Sequence, residues 1–154
     1  MPKSLRLKVT MVGRYKPTSY EYKNGDTSEL HIPLVCSDIG HDNKKIVINV
    51  YGIDARFWVA SDPYKMDISP VQDYITRIEK HGKTYNEGNE LWRIHTQYPF
   101  EVPIVRKFFS EQGIWTGMAD IPYERAFPIH YNLGRYIMVK RLDKMMDVSE
   151  IVME

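Results

Sequence analysis

Histidine and acidic side chains are the residues of this chain that could hold a metal ion and so support hydrolysis or group transfer. The histidines are scattered and show no i,i+4 pair; they are His31, His41, His81, His95 and His130. A two-metal centre needs clustered carboxylates, because two cations must stabilise both the entering and the leaving oxygen. The acids near the C-terminus are spaced as solvated residues of a tail: Asp143, Asp147, Glu150 and Glu154. The sequence therefore predicts no metal ligand, no catalytic residue and no cofactor in this chain.

A single cysteine and a glycine-flanked segment offer no other chemistry. Cys36 has no partner for an intramolecular disulfide, and its apolar neighbours indicate a small buried residue. Residues 113–117 (Gly-Ile-Trp-Thr-Gly) lack the Gly-Lys-Ser/Thr of a phosphate-binding loop and follow a predicted helix. We interpret this segment as a helix end and a strand.

Composition limits the class of protein. With 154 residues and 43% hydrophobic content, the chain is long enough for a domain with its own core. The net charge of +1 gives no overall attraction to nucleic acid, so any such contact needs a local basic face. The basic N-terminus lacks an apolar run of signal-peptide length, and no stretch approaches a membrane span. We expect a cytoplasmic protein without a membrane partner.

Hydrophobic periodicity predicts strands in the first part of the chain. Apolar and polar residues alternate in 5–12, and the segments 30–37, 45–51 and 56–60 have strand composition. Turn signals at Asn24-Gly25-Asp26 and a polar loop at 40–43 separate these segments. They predict an antiparallel sheet in residues 1–62.

The period changes after Ser69. Apolar residues at i, i+3, i+4 and i+7 predict a helix with Ser69 as N-cap, Pro70 at its first position and Gly82 at its end. A strand at 91–96 and a helix ending at Gly113 are then predicted. Three further elements follow: a strand at 114–118, a helix at 122–133 bent at Pro128, and a strand at 135–139.

This order predicts an α+β fold. The N-terminal antiparallel sheet is expected to pack beside a small split-βαβ sandwich of the ferredoxin or RRM type in residues 63–140. Residues 141–154 are expected to form a tail that is either a terminal helix or loose. The whole of 1–154 is interpreted as a single domain.

Three short motifs carry a family resemblance. Residues 98–106 (YPFEVPIVR) and 119–127 (ADIPYERAF) resemble the N-terminal domain of archaeal B-family DNA polymerases. In that family a strand runs into a P-x-x-V-P-x-[IV]-R helix, and a [YA]-D-I-P-[FY] turn opens the next helix. Residues 50–62 (VYGIDARFWVASD) are similar to the family's x-G-F-x-P-Y-F-Y-V strand, and the order of the three motifs agrees.

The resemblance implies a function and partners. It implies a non-catalytic N-terminal domain of a DNA-directed DNA polymerase in DNA replication, which binds the single-stranded template. Its partners would be the exonuclease and polymerase domains of the same enzyme, with 141–154 leading to the exonuclease domain. Divalent metals are expected only in those catalytic domains. Many members of the family also capture template uracil in a pocket, which accepts the flipped base by its shape and polarity.

The resemblance also assigns candidate residues for binding a base or strand. Carried over by position, they are Ala55, Arg56 and Phe57, then Pro99, Phe100 and Val102, then Ile121 and Tyr123. Arg125 is added because it is a basic residue of a matched motif that could contact a phosphate. Ala55 and Arg56 depart from the family's usual Pro-Tyr, and Phe100 departs from a polar residue. Aromatic residues that could stack bases are Trp58, Trp92, Trp115 and Tyr136.

Two other functions fit the same residues. A free-standing module that binds single-stranded nucleic acid would expose stacking aromatics on its sheet face. A ligand-free scaffold lobe would use the candidate residues to pack helices on a sheet, and its apolar patches would contact other domains.

Overall fold

The computed structural model describes residues 5–25, 28–83, 90–144 and 147–153. In chain order the elements are β1 (Leu5–Val12), α1 (Ser19–Lys23), β2 (Ile32–Asp38), β3 (Lys44–Val50), β4 (Ala55–Val59), β5 (Ile75–Lys83), β6 (Glu90–Thr96), α2 (Val102–Glu111), β7 (Thr116–Gly117), α3 (Tyr123–His130), β8 (Tyr136–Lys144) and β9 (Asp147–Met153). Contacts divide the chain into two units, the first formed by residues 1–53 and 122–154 and the second by residues 54–121.

The first unit is a closed barrel with the strand order β1-β2-β3-β9-β8, in which β8 pairs back with β1. Neighbouring strands are antiparallel except for β3 and β9, which are parallel. Along β2 the side chains of Ile32, Leu34 and Cys36 are buried and alternate with partly exposed ones, so the apolar period of two fills the interior. A five-stranded barrel of this kind, with a helix before its fourth strand, is the arrangement of the OB-fold.

The second unit is a four-stranded sheet of order β5-β6-β4-β7 with the helix α2. Both β6 and β7 are antiparallel to β4, which lies between them, so they run parallel to each other. The segment β6-α2-β7 is therefore a split βαβ unit. Its helix buries Val105 and Phe109, and the Phe109 ring meets the Phe57 ring of β4 edge-on at 6.3 Å. The predicted α+β class is confirmed.

The helix predicted from Ser69 to Gly82 is wrong. The chain instead makes a short 3-10 turn at Gln72–Tyr74 and continues as the strand β5. Ile75, Thr76 and Ile78 are β-branched, and pairing with β6 from Ile75 to Lys83 satisfies the backbone of the segment. Gly82, with φ 133°, lies beside a register shift in this strand and does not end a helix.

The last segment also differs from its prediction. Residues 136–144 and 147–153 form β8 and β9, so the expected helical or loose tail is replaced by two barrel strands. β8 joins β1 in the barrel and does not belong to the second unit's sheet, where the predicted sandwich placed it. The unit boundaries therefore fall at 53/54 and 121/122, whereas the sequence predicted changes after 62 and 140. The sequence also predicts a turn at Asn86-Glu87-Gly88-Asn89, and these residues lie outside those that the structure describes.

Candidate nucleic-acid interface

Three of the predicted site residues belong to the core of the second unit. Ala55 and Phe57 lie on the buried side of β4, with 1% and 0% of their surface exposed. Val102, in the first turn of α2, is buried on the same helix face as Val105. The structure thus brings these three residues into the apolar contact between β4 and α2. Their placement matches the packing role that the sequence left open.

Pro99 and Phe100 lie in the 3-10 turn that precedes α2. The Phe100 ring stacks on the Tyr98 ring with centroids 5.2 Å apart, and the Tyr98 N–H donates to Glu101 Oε1 at 2.9 Å. Burial raises the pKa of Glu101, and the Tyr98 N–H partly opposes that rise. This segment therefore caps the helix start, and both predicted residues are half-buried.

Two of the recognised motifs meet in the second unit. Arg106 of the first helical motif pairs with Asp120 of the acidic turn, with 3.2 Å between Nη2 and Oδ2. The Asp120 side chain is 74% exposed, so this ion pair contributes little to stability. Ile121 follows directly and is 37% exposed, which leaves it available for contact with a ligand or another domain.

Arg56 lies on the face of the sheet opposite Phe57, in a network of charged groups. Its guanidinium pairs with Asp54 Oδ1 at 2.9 Å, and the other oxygen of Asp54 lies 2.7 Å from His95 Nδ1. His95 is 2% exposed, and its Nε2 lies 3.4 Å from Glu79 Oε2, which also pairs with Arg93. Burial raises the pKa of Asp54, but the His95 hydrogen bond and the Arg56 charge outweigh burial and lower it overall.

The same sheet face carries an aromatic pair. The Trp58 and His81 rings are stacked with centroids 5.4 Å apart, and Arg93 Nη2 donates to His81 Nδ1 at 2.8 Å. Burial and the Arg93 charge lower the pKa of His81, which keeps the ring neutral and able to accept that bond. Trp58, a predicted stacking residue, therefore lies among arginines on a half-buried face.

Tyr123 and Arg125 belong to the first unit. Tyr123 is 6% exposed and meets the Tyr15 ring edge-on at 5.4 Å, whereas Arg125 is exposed. Burial, aided by the Glu124 charge, raises the pKa of Tyr15. The sequence patterns did not single out Tyr15, because it lies in the loop after β1 rather than on the strand.

The outer surface of the barrel holds Tyr136, a predicted stacking residue, beside residues that the sequence did not single out. Paired residues of four neighbouring strands form one row, which consists of Tyr136, Lys8, Ser37 and Lys45. A second row is formed by Met11, Val35 and Val47. We call these two rows the barrel face. The alternation within each strand predicts which of its residues share a face, but the pairing that aligns the rows is set by tertiary structure.

The described residues contain neither a metal centre nor a membrane-spanning helix. There, no group of three or more His, Cys, Asp or Glu side chains is placed to hold a metal ion. Within the same residues, no helix has the length and apolar character needed to cross a membrane.

The chain resembles known proteins in its fold and not in its sequence. No protein-family model and no curated protein sequence matches the chain. The fold, in contrast, is found in solved structures, among them the family B DNA polymerase of the hyperthermophilic archaeon Pyrobaculum calidifontis. This chain shares its fold with part of that enzyme. The match has a TM-score of 0.67 and 14% sequence identity, and it covers 97% of this chain and 21% of the polymerase chain.

Proposed function

We propose that this chain is a non-catalytic domain of a family B DNA polymerase, equivalent to its N-terminal domain, and that it binds the single-stranded template during DNA replication. The structural match carries this proposal, because it covers 97% of the chain but 21% of the polymerase. The whole fold thus corresponds to one module of a larger enzyme. The order of the three polymerase-like motifs gives independent support from the sequence.

The proposal assigns partners. The exonuclease and polymerase domains of the same enzyme would supply the catalytic carboxylates and the divalent metals that nucleotidyl transfer requires. Exposed apolar residues such as Ile104 and Ile121, 44% and 37% exposed, are available for contact with those domains. Co-expression with a family B polymerase fragment that lacks its N-terminal domain tests this assignment. Co-purification of the two chains is the expected result.

Recognition of template uracil is the finer part of the proposal. Pro99, Val102 and Ile121 keep the residue types that the resemblance implies for uracil capture. Ala55 and Arg56 replace the usual Pro-Tyr, which changes the shape and charge of that strand. Val102 is 6% exposed and packs against β4, so the proposed selectivity for uracil rests on Pro99 and Ile121, which have exposed surface.

A binding titration tests both template binding and the recognition of uracil. Fluorescently labelled single strands of one sequence, with and without a deoxyuracil, are titrated with the chain at two salt concentrations, beside the same sequence as duplex. We expect tighter binding to the single strands than to the duplex, weakening with salt as phosphate contacts require. A preference for the deoxyuracil strand supports uracil sensing. Failure to bind any strand contradicts template binding and favours the scaffold function.

The second candidate is a free-standing module that binds single-stranded nucleic acid on its sheet. The stacked Trp58 and His81 rings, with Arg93 beside them, favour it. Under this function Trp58→Ala abolishes binding, whereas Trp58→Phe keeps a stacking surface and retains it. If both variants bind DNA as the parent chain does, this sheet face is not the binding surface.

A further inference from the structure

The barrel face presents a continuous polar and aromatic row. Tyr136 of β8 pairs with Lys8 of β1, Lys8 with Ser37 of β2, and Ser37 with Lys45 of β3. Paired residues point to the same side of a sheet, and neighbouring strands lie about 4.8 Å apart, so the row is about 14 Å long. One aromatic ring and two lysines are thereby aligned across four strands.

An apolar row runs beside it. Met11 pairs with Val35, and Val35 pairs with Val47. Val35 and Ser37 are two residues apart on β2, so the two rows lie about 6.8 Å apart. Met11 is 57% exposed and Val47 is 42% exposed, so the folded chain leaves this row uncovered. Neighbouring rows of cations and of exposed apolar groups match a ligand with alternating charged and apolar parts.

The charges on this face have one sign. Among the side chains that the structure describes on β1, β2, β3 and β8, the charged ones on the outer side are Arg6, Lys8 and Lys45. Asp38, the acid of β2, is 8% exposed and holds His41 and the Gly40 N–H. Arg135 adds a further cation over the Tyr136 ring, at 5.9 Å from its centroid.

We propose that the barrel face binds a single strand of nucleic acid, with Lys8 and Lys45 at phosphates, a base stacked on Tyr136, and the apolar row against further bases or sugars. The inference rests on the proposed template binding and names its surface. Charge complementarity selects a polyanion, and the open apolar row selects a strand whose bases are unpaired. The face spans β8, β1, β2 and β3, and it includes β2 and β3, the strands with which barrels of this type bind oligonucleotides.

Charge variants of the full chain test the phosphate contact. Lys45→Glu is compared with Lys107→Glu, which makes the same charge change at a 78% exposed position of α2. Anisotropy titrations use labelled oligothymidine at several salt concentrations. We expect Lys45→Glu to weaken binding and to reduce the salt dependence of log K by about 0.7, the share of one phosphate contact on a single strand. Lys45→Arg and Lys107→Glu should bind like the parent chain.

Aromatic variants test the stacking contact. Tyr136→Ala should lower the affinity about 5- to 150-fold, the range of one base–aromatic stack, whereas Tyr136→Phe should retain it. If Tyr136→Ala fails to fold, the exposed Lys45 variants still decide the question. Absence of oligothymidine binding by the parent chain overturns both this inference and template binding. Binding that is unchanged in Lys45→Glu, or in a folded Tyr136→Ala chain, overturns this surface alone and leaves template binding standing.

Discussion

His95 is the centre of the charged network of the second unit, and its replacement gives a defined prediction. His95→Leu removes the donor to Asp54, 2.7 Å away, and the contact with Glu79 at 3.4 Å. Asp54 keeps Arg56 and Glu79 keeps Arg93, so neither carboxylate is left without a cation. The side chains of Asp54 and Glu79 are 30% and 25% exposed, so water also solvates them in part.

The size of the effect follows from these contacts. A hydrogen bond to a charged group contributes about 1.5–3 kcal/mol, and partial exposure places this one in the lower part of that range. We expect His95→Leu to lower the free energy of unfolding by about 2 kcal/mol, equivalent to a melting temperature about 4–8 °C lower for a chain of this size. His95→Asn, which can still donate to Asp54, should lose about half as much.

Tryptophan fluorescence in urea measures this loss selectively. All tryptophans of the chain, Trp58, Trp92 and Trp115, lie in the second unit, so the signal reports the unit that contains His95. A His95→Leu chain that is as stable as the parent, or more stable, would refute the reasoning. That result would show that desolvation of the network costs as much as its contacts contribute.

The pH dependence supplies a second check. Burial raises the pKa of Asp54 and of Glu79, but the neighbouring cations and the His95 hydrogen bonds outweigh burial and lower both values in the folded chain. Carboxyls with lowered pKa values add stability above their unfolded values, about 3.9 for Asp and 4.3 for Glu, and lose it as the pH falls through the folded values. The difference between parent and His95→Leu should therefore shrink below about pH 4.

Three further predictions concern the core and the turns. Phe57→Ala should lower the free energy of unfolding by about 3–5 kcal/mol, because the ring is fully buried. Arg125→Ala, at an exposed position, should change it by less than about 0.5 kcal/mol; urea titrations followed by circular dichroism, which reports both units, measure the two variants. Burial raises the pKa of the Cys36 thiol to about 11, so Ellman's reagent at pH 8 should react with it only after denaturant is added, and rapid reaction of the native chain would contradict its burial. Gly113→Ala should cost about 1–2 kcal/mol, because Gly113 has φ 75° and an added Cβ meets no atom within 4 Å, which leaves backbone strain as the cost; Gly40→Ala, which has an ordinary contact at 3.7 Å, should lack this penalty in thermal melts.

The local sequence pattern predicted most of the helices and strands whose signal lies within a few residues. β1 has the bounds that its alternation predicted, and α2 ends before Gly113, where φ 75° requires a residue without a side chain. The prediction for residues 69–82 was wrong because their apolar spacing fits both the helical and the strand period, and pairing with β6 decides in favour of a strand. The short α1, closed by a capping box at Thr18 and Glu21, was overlooked because the loop around it lacks an apolar period.

The candidate site was also predicted only in part from the sequence. The motifs predicted the fold of a polymerase N-terminal domain, and the structural match shows that 97% of the chain shares its fold with part of a family B polymerase. Local sequence did not predict that Phe57 and Val102 are buried while Ile121 is partly exposed. It also could not align Lys8 with Lys45, which are 37 residues apart in the sequence and share a row only through the pairing of β1, β2 and β3.

The sequence by itself therefore determined the α+β class, the lack of a disulfide and the faces of single strands and helices, because these depend on residue types and short periods. Tertiary structure alone decided that strands from before and after the segment 54–121 close one barrel, and that 141–144 and 147–153 are strands of it. The physical reason is that a strand satisfies its backbone on a neighbour distant in sequence, so its partner is fixed by burial and hydrogen bonding across the whole fold.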